Sequence, residues 1–269
     1  MSCKLRSFSV DLHIHTCLSP CAELEMLPEL IVERAQQLNL DIIGVTDHNS
    51  SENALSVCNA ARGTGITVLP GMEVQTREEA HVLALFDTID QAWTWQAEVY
   101  ASLPLLKNDP RFFGEQILLD PDGEPAGYLD RLLVTATDLS IEDVVARVDD
   151  LGGLVIPAHV DRPAFSIIAN LGFVPLQIGI TGVEISSRLA PGEARARFQQ
   201  LSDFSLVTAS DAHRLDDMQT RTSLGLNEPT VGEIRLALAG ARGRWASIDG
   251  VCTNPTRSAR DSVAVDRIV

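Results

Sequence analysis

Ile42-Ile43-Gly44-Val45-Thr46-Asp47-His48-Asn49 is a short apolar run that ends on three polar side chains. Four apolar positions with no polar alternation read as a strand covered on both faces, as in a sheet flanked by helices. Polar groups at the end of such a strand lie where α/β barrels build their sites. The pattern recurs. Leu154-Val155-Ile156-Pro157-Ala158 runs into His159, and Leu206-Val207-Thr208-Ala209 runs into Ser210-Asp211-Ala212-His213. Leu69-Pro70-Gly71-Met72 leads to Glu73, and His81 opens the run that reaches Phe86.

Working outward, strands are expected at 8–14, 40–46, 66–69 with 72–74, 81–86, 154–158, 182–185 and 205–208. Amphipathic helices are expected at 27–38, 54–61 and 141–151. The last has a start signal in Ser140 followed by Glu142 and Asp143, and a stop in Gly152-Gly153. Strands alternating with helices predict an α/β fold with a mainly parallel sheet, and about seven such units suit a TIM-like barrel. Residues 88–138 break the rhythm. They hold Trp93, Trp95, Tyr100, Phe112 and Phe113 and two turn-like stretches, Asn108-Asp109-Pro110 and Asp120-Pro121-Asp122-Gly123. The segment reads as an insertion, either a cap over the site or a structural excursion. The expected organisation is a barrel domain over 1–252 followed by a flexible tail over 253–269.

Composition narrows the function classes. The chain has 269 residues, 45% hydrophobic and 22% charged, which suits a globular enzyme. No apolar run approaches a membrane span, and the first residues lack the apolar stretch of a secretory signal, so a cytoplasmic protein is expected. With 21 Lys and Arg against 37 Asp and Glu, the net charge of −16 disfavours long nucleic acids as partners. Five cysteines (Cys3, Cys17, Cys21, Cys58 and Cys252) make an odd count that does not read as a disulfide framework.

The six histidines carry the chemistry. In Phe8–Ile14 and the following His15, alternation places Phe8, Val10, Leu12 and Ile14 on one side and Asp11, His13 and His15 on the other. Two imidazoles on one strand face can chelate one metal. His48, His81, His159 and His213 each lie near a strand end. Singly, each reads as a hydrogen-bonded structural residue; as a set with Glu73 and Asp211 they suit Zn, Mn or Fe, with a carboxylate such as Glu73 bridging two ions.

The ordered set Asp-Leu-His13-Ile-His15, Thr-Asp47-His48-Asn49, Gly-Met-Glu73, His81, Pro-Ala-His159 and Ser-Asp211-Ala-His213 resembles the polymerase and histidinol phosphatase (PHP) family of metal-dependent phosphoesterases. The resemblance runs from about residue 8 to 214. It implies a distorted seven-stranded β/α barrel with two to three divalent metal ions at its mouth. By motif, His13, His15, Glu73 and Asp211 would hold the first. Glu73 would bridge to a second, with His81 and His159, and a third would take His48 and His213. Where the family offers Asp, Glu or His shortly after His15, this chain has Thr16-Cys17-Leu18-Ser19-Pro20-Cys21. Cys21 lies at the matching distance, either as a thiolate ligand or as a free core cysteine. Asp47 is read as orienting His48 or holding a proton.

Such a site fits hydrolysis of a small phosphate ester by metal-activated water. Asp47 and His213 are the candidates for handling the leaving-group proton, and Arg162, Arg188 and Arg214 for gripping phosphate oxygens. Covalent catalysis and nucleotide-cofactor chemistry lack their motifs here. Two other readings stand beside the phosphomonoesterase: a nuclease or cyclic phosphodiesterase of the same fold, and a non-catalytic metal-binding interaction domain.

Overall fold

The computed structural model describes residues 5–255. Cys3 and the expected tail beyond residue 255 lie outside the described residues. In chain order the elements are β1 (Arg6–Ile14), α1 (Pro28–Gln37), β2 (Ile42–Val45), α2 (Ala54–Ala60), β3 (Thr67–Gln75), β4 (His81–Leu85), α3 (Ile89–Ser102), α4 (Pro110–Phe113), β5 (Ile117–Leu119) and β6 (Pro125–Tyr128). They continue with α5 (Ile141–Asp150), β7 (Leu154–Pro157), α6 (Ile167–Leu171), β8 (Gly182–Glu184), α7 (Pro191–Arg197), β9 (Ser205–Val207), β10 (Thr222–Leu226), α8 (Val231–Leu238), β11 (Trp245–Ile248) and β12 (Val251–Cys252).

The fold is α/β, and its main sheet is a curled mixed half-barrel of eight strands in the order β12-β11-β10-β1-β2-β3-β4-β7. This corrects the mainly parallel sheet. Only β1–β2 and β2–β3 are parallel within it. The β3–β4 connection, residues 76–80, is a hairpin link, too short for the dozen or more residues that a parallel crossover requires. The strands expected at 182–185 and 205–208 form a separate parallel pair, β8–β9. Backbone bonds tie that pair to the large sheet: Val160 N donates to Glu184 O at 2.8 Å, and His15 N to Ala212 O at 3.0 Å.

Three apolar clusters hold the layers together. One draws on Val10, Leu12, Ile42, Leu69, Leu83, Ile156 and Leu224 from strands around the curl, with Ile234 and Leu238 of α8 against it. A second lies between β2 and the helices α1 and α2, and a third under α3 and α5. The helix at 141–151 forms as expected, with Ser140 and Asp143 making a reciprocal cap.

The segment 88–138 is not one unit. Its first part, α3, is a wall helix: Ala92, Trp95 and Val99 are fully buried against Met72, Val74 and Phe86. The rest braces the loops around the histidines. Ile117 N donates to Cys17 O at 3.2 Å, and Asn49 Nδ2 donates to Leu133 O at 2.7 Å. Gly114, at φ +98°, touches Pro20 so closely that a Cβ would collide with its carbonyl oxygen. The expected tail also begins too early. Thr253 is buried and donates through Oγ1 to Leu206 O at 2.6 Å.

Candidate metal centre

All six histidines sit at one edge of the curled sheet. His13 and His15 close β1, His48 and Asn49 follow β2, Glu73 lies late in β3, His159 follows β7, and Asp211 and His213 follow β9. His81 opens its strand rather than closing it because β4 runs antiparallel to β3, with Gln75 opposite His81. The expected alternation in β1 holds for Phe8, Val10 and Leu12, which share one cluster. It breaks at a register shift between Asp11 and Ile14, and Ile14 joins the layer beneath α1 and α2 instead. Such irregularities re-aim side chains at sites. Asn49, His159 and Asp211 have φ values of +49°, +30° and +52°. Left-handed backbone at three non-glycine residues is strain held in place by the surrounding fold.

The side chains converge. His13 Nε2 and His15 Nε2 are 3.2 Å apart, and Asp211 Oδ1 lies 3.2 Å from the first and 3.1 Å from the second. Glu73 Oε1 is 3.4 Å from His13 Nε2. The same oxygen meets His81 Nδ1 at 2.8 Å and His159 Nε2 at 3.1 Å, while Oε2 lies 2.9 Å from His48 Nδ1. Three groups offer ligand atoms to a cation: His13, His15, Glu73 and Asp211; His48, Glu73 and His81; and His15, His48 and His213. Glu73 Oε2 is buried with no hydrogen-bond partner, a condition that a cation relieves.

The protonation of three rings follows from their outer partners. His13 Nδ1 lies 3.0 Å from Glu184 Oε2, a pure acceptor, so Nδ1 carries the proton and Nε2 turns a lone pair inward. His15 Nδ1 lies 2.9 Å from Ser19 Oγ, and that hydroxyl spends its own hydrogen on Asp47 Oδ1 at 2.7 Å. His15 Nδ1 must therefore donate to Ser19, which leaves its Nε2 bare. His213 Nδ1 donates to the Asp211 carbonyl at 2.8 Å, with the same result. Lone pairs facing lone pairs and carboxylates suit a divalent metal, and outer donors that fix the tautomer are what such ligands require. Burial alone would push both carboxylates up; without a cation, the charge of neighbouring protonated imidazoles instead holds Glu73 and Asp211 well below the usual carboxylate range.

Cys21 comes to the third group. Its Sγ is 3.2 Å from His48 Nε2 and 3.0 Å from His213 Nε2. Burial pushes the thiol up, but in the metal-free, protonated form of the two rings hydrogen bonds from His213 and His48 outweigh it and bring the pKa to about 6. Cys17, buried close by, is pushed up to about 12 by burial and the Asp47 charge. Asp47 is a correction. It is 1% exposed, and its oxygens accept from Thr16 N, Thr16 Oγ1 and Ser19 Oγ, each at 2.7 Å. It holds the 16–19 turn, reaches the His15 ring and the His48 backbone N–H (3.2 Å) only through Ser19 Oγ, and is not among the cavity-lining residues.

Beside the centre is a cavity of about 430 Å³, lined by His81, Val134, His159, Arg162, Phe165 and His213 among others. Arg162 Nη1 pairs with Asp211 Oδ2 at 2.7 Å. The structure does not bring the other two arginines there. Arg214 pairs with Glu23 on the surface at 2.7 Å, and exposed Arg188 does not line the cavity. Trp93, Trp95, Phe112 and Phe113 also lie off the lining, to which 88–138 contributes Val134.

Sequence reasoning missed Glu184 and Ser19. Glu184 accepts from His13 and, through Oε1, from the His159 backbone N–H at 3.1 Å. Its signal was the one that picked out Glu73, a carboxylate at the end of an apolar run. Ser19 had no such signal, because its role depends on a turn that returns beneath His15.

Residues 11–112 match the family model of the PHP domain. That range holds His13, His15, Cys21, His48, Glu73 and His81; His159, Asp211 and His213 lie beyond it. No curated protein matches the chain. Among solved structures, the lesion-specific endonuclease Q of Pyrococcus furiosus is similar in fold, with a TM-score of 0.59 and 19% identity over 89% of this chain and 57% of that one. A two-domain Bacteroides vulgatus protein with a PHP-like metal-dependent phosphoesterase gives a TM-score of 0.54 and 16% identity over 92% and 66%. A Bifidobacterium adolescentis protein assigned as a metal-dependent phosphoesterase gives 0.52 and 17% over 98% and 96%. The chain thus spans under three fifths of the length of endonuclease Q. At such identities the likeness establishes a shared fold.

Proposed function

We propose that the protein is a metal-dependent phosphoesterase that hydrolyses a small-molecule phosphate ester at a di- or trinuclear site. The observation that carries this reading is the convergence of His13 Nε2 and His15 Nε2 on Glu73 and Asp211, with His213 Nε2 joining His15 and His48 in an adjoining group and outer partners fixing all three rings. Divalent ions at such a site lower the pKa of a bound water and neutralise phosphate oxygens in the transition state. In this reading Glu73 serves two ions and Cys21 completes a third position with His48 and His213. A thiolate there favours Zn or Fe over harder ions. Both nitrogens of His213 have partners, so ligation is the role its geometry supports, in place of proton transfer. Arg162 stands at the cavity wall where it meets a phosphate oxygen. The interaction-domain reading fits less well, since purely structural sites close on four ligands and need no adjoining cavity.

A second reading has its own observation. The fold likeness to endonuclease Q includes a structure of that enzyme in complex with a duplex carrying an abasic lesion at the active site. Against it here stand the net charge of −16 and the single arginine among the cavity-lining residues. The discriminating experiment offers metal-loaded protein p-nitrophenyl phosphate, a bis(p-nitrophenyl) diester, simple monoesters and an abasic duplex. Turnover confined to monoesters supports the first reading, and cleavage of the duplex or diester supports the second.

A further inference from the structure

Phe165 is an exposed aromatic residue at the mouth of the cavity. Its side of the site follows β7, in the loop Asp161-Arg162-Pro163-Ala164-Phe165. The ring lies against that of His81, with centroids 5.1 Å apart and planes 27° from parallel. Its backbone is at φ +55°, a conformation disfavoured for an aromatic residue, and its carbonyl accepts from His81 N–H at 3.0 Å. The residue nevertheless remains 48% exposed. Strain that ends in an exposed aromatic surface gains nothing from burial, so its use lies in what the surface meets.

The rest of the wall has the same character. Val134, Pro163 and Ala164 line the cavity with Phe165, while Gln75 and Arg162 are the polar side chains added to the histidines and carboxylates. A polyol phosphate needs a hydrogen-bond partner for each hydroxyl it brings out of water. This wall offers few. A flat π-system stacks on a phenyl ring without such partners. Arg162, paired to Asp211, and Phe165, stacked on His81, both border the centre from the same loop, so a phosphate held at the centre and beside Arg162 has the Phe165 ring within its surroundings.

We infer that Phe165 is a specificity-determining residue, and that the ester hydrolysed at this centre carries a flat aromatic group, as in a nucleoside or aryl phosphate, which stacks on the Phe165 ring. The inference rests on the phosphoesterase reading and names its substrate class.

The test is calorimetric binding to metal-loaded protein of adenosine 5′-phosphate, phenyl phosphate, ribose 5-phosphate, glycerol 3-phosphate and inorganic phosphate. The wild type is compared with Phe165→Leu and Phe165→Tyr. One or both aromatic esters should bind roughly ten- to a hundredfold more tightly than the polyol phosphates. That preference should collapse in Phe165→Leu and return in Phe165→Tyr, with inorganic phosphate affinity and metal content unchanged throughout. Tighter binding of the adenosine ester points to a nucleoside, and of the phenyl ester to an aryl group. Equal affinity for aromatic and polyol esters, or a preference unchanged in Phe165→Leu, overturns the inference while leaving the phosphoesterase reading intact. Failure of inorganic phosphate to bind, with no ester turned over, overturns both.

Discussion

Ser19 Oγ lies 2.9 Å from His15 Nδ1 and hands its own hydrogen to Asp47, so a residue with no access to the cavity decides which nitrogen of His15 faces the metal centre. Ser19→Ala removes the acceptor and frees the ring to change tautomer. Metal affinity should fall by about ten- to a hundredfold, as for other outer partners of ligating histidines. Competition titration with a chromophoric chelator measures it. Nitrogen NMR of the metal-free protein should show the His15 proton no longer confined to Nδ1. Unchanged affinity and tautomer would leave Ser19 with only a turn-forming role.

Glu184 binds His13 Nδ1 with one oxygen and the strained His159 backbone with the other. Glu184→Ala leaves two buried N–H groups without acceptors, at a cost of about 1–3 kcal/mol each. Denaturant unfolding should show a total loss of about 2–6 kcal/mol, together with lower metal occupancy. Glu184→Gln keeps an acceptor and should lose less of both. Equal losses in the two variants would contradict the assignment of tautomer through Glu184.

Cys21 is the departure from the family pattern, and its Sγ meets both His48 and His213. Cys21→Ser should lower metal content by about one ion per chain and sensitise the remainder to no new oxidation, because hard oxygen replaces soft sulfur. Elemental analysis of anaerobically purified protein reads this directly. Identical stoichiometry in variant and wild type would return Cys21 to the status of a free cysteine.

Arginine positions separate cleanly. Arg162→Ala should raise KM on every phosphate ester tested by roughly ten- to a hundredfold, the worth of about 1.5–3 kcal/mol for a hydrogen bond to a charged group. Arg214→Ala should change neither kinetics nor Tm measurably, since its partner Glu23 is exposed and such surface pairs contribute little. Steady-state kinetics on one ester settles both, and the reverse ranking would place the phosphate elsewhere.

The strand runs and the histidine set were legible because both leave marks in the chain. An apolar run long enough for one strand ends in a polar triplet, and no long-range information is needed to see it. Sheet direction was harder. The five residues between β3 and β4 already excluded a parallel crossover, whereas the antiparallel β10–β12 edge pairs with β1 across most of the chain. The helix α3 was also readable in principle, from the Thr88–Gln91 capping pair and the spacing of Ala92, Trp95 and Val99. Its tryptophans drew attention to a cap instead. Tautomer control by Ser19 and Glu184 was beyond sequence reasoning, because it rests on contacts between residues 4 and 171 positions from their histidines, made only once the sheet has curled.

Glu73 meets both the His13 side and the His48–His81 side of the centre, so the most direct measurement is metal content and phosphate-ester hydrolysis of anaerobically purified protein and its Glu73→Gln variant. About two to three divalent ions per chain are expected in the wild type, lost on chelation together with activity. The variant should lose more than one ion per chain, with far-ultraviolet circular dichroism unchanged. Less than about one ion per chain in wild type supplied with Zn, Mn and Fe, or full occupancy with no turnover of any phosphate ester, would contradict a metal-dependent phosphoesterase.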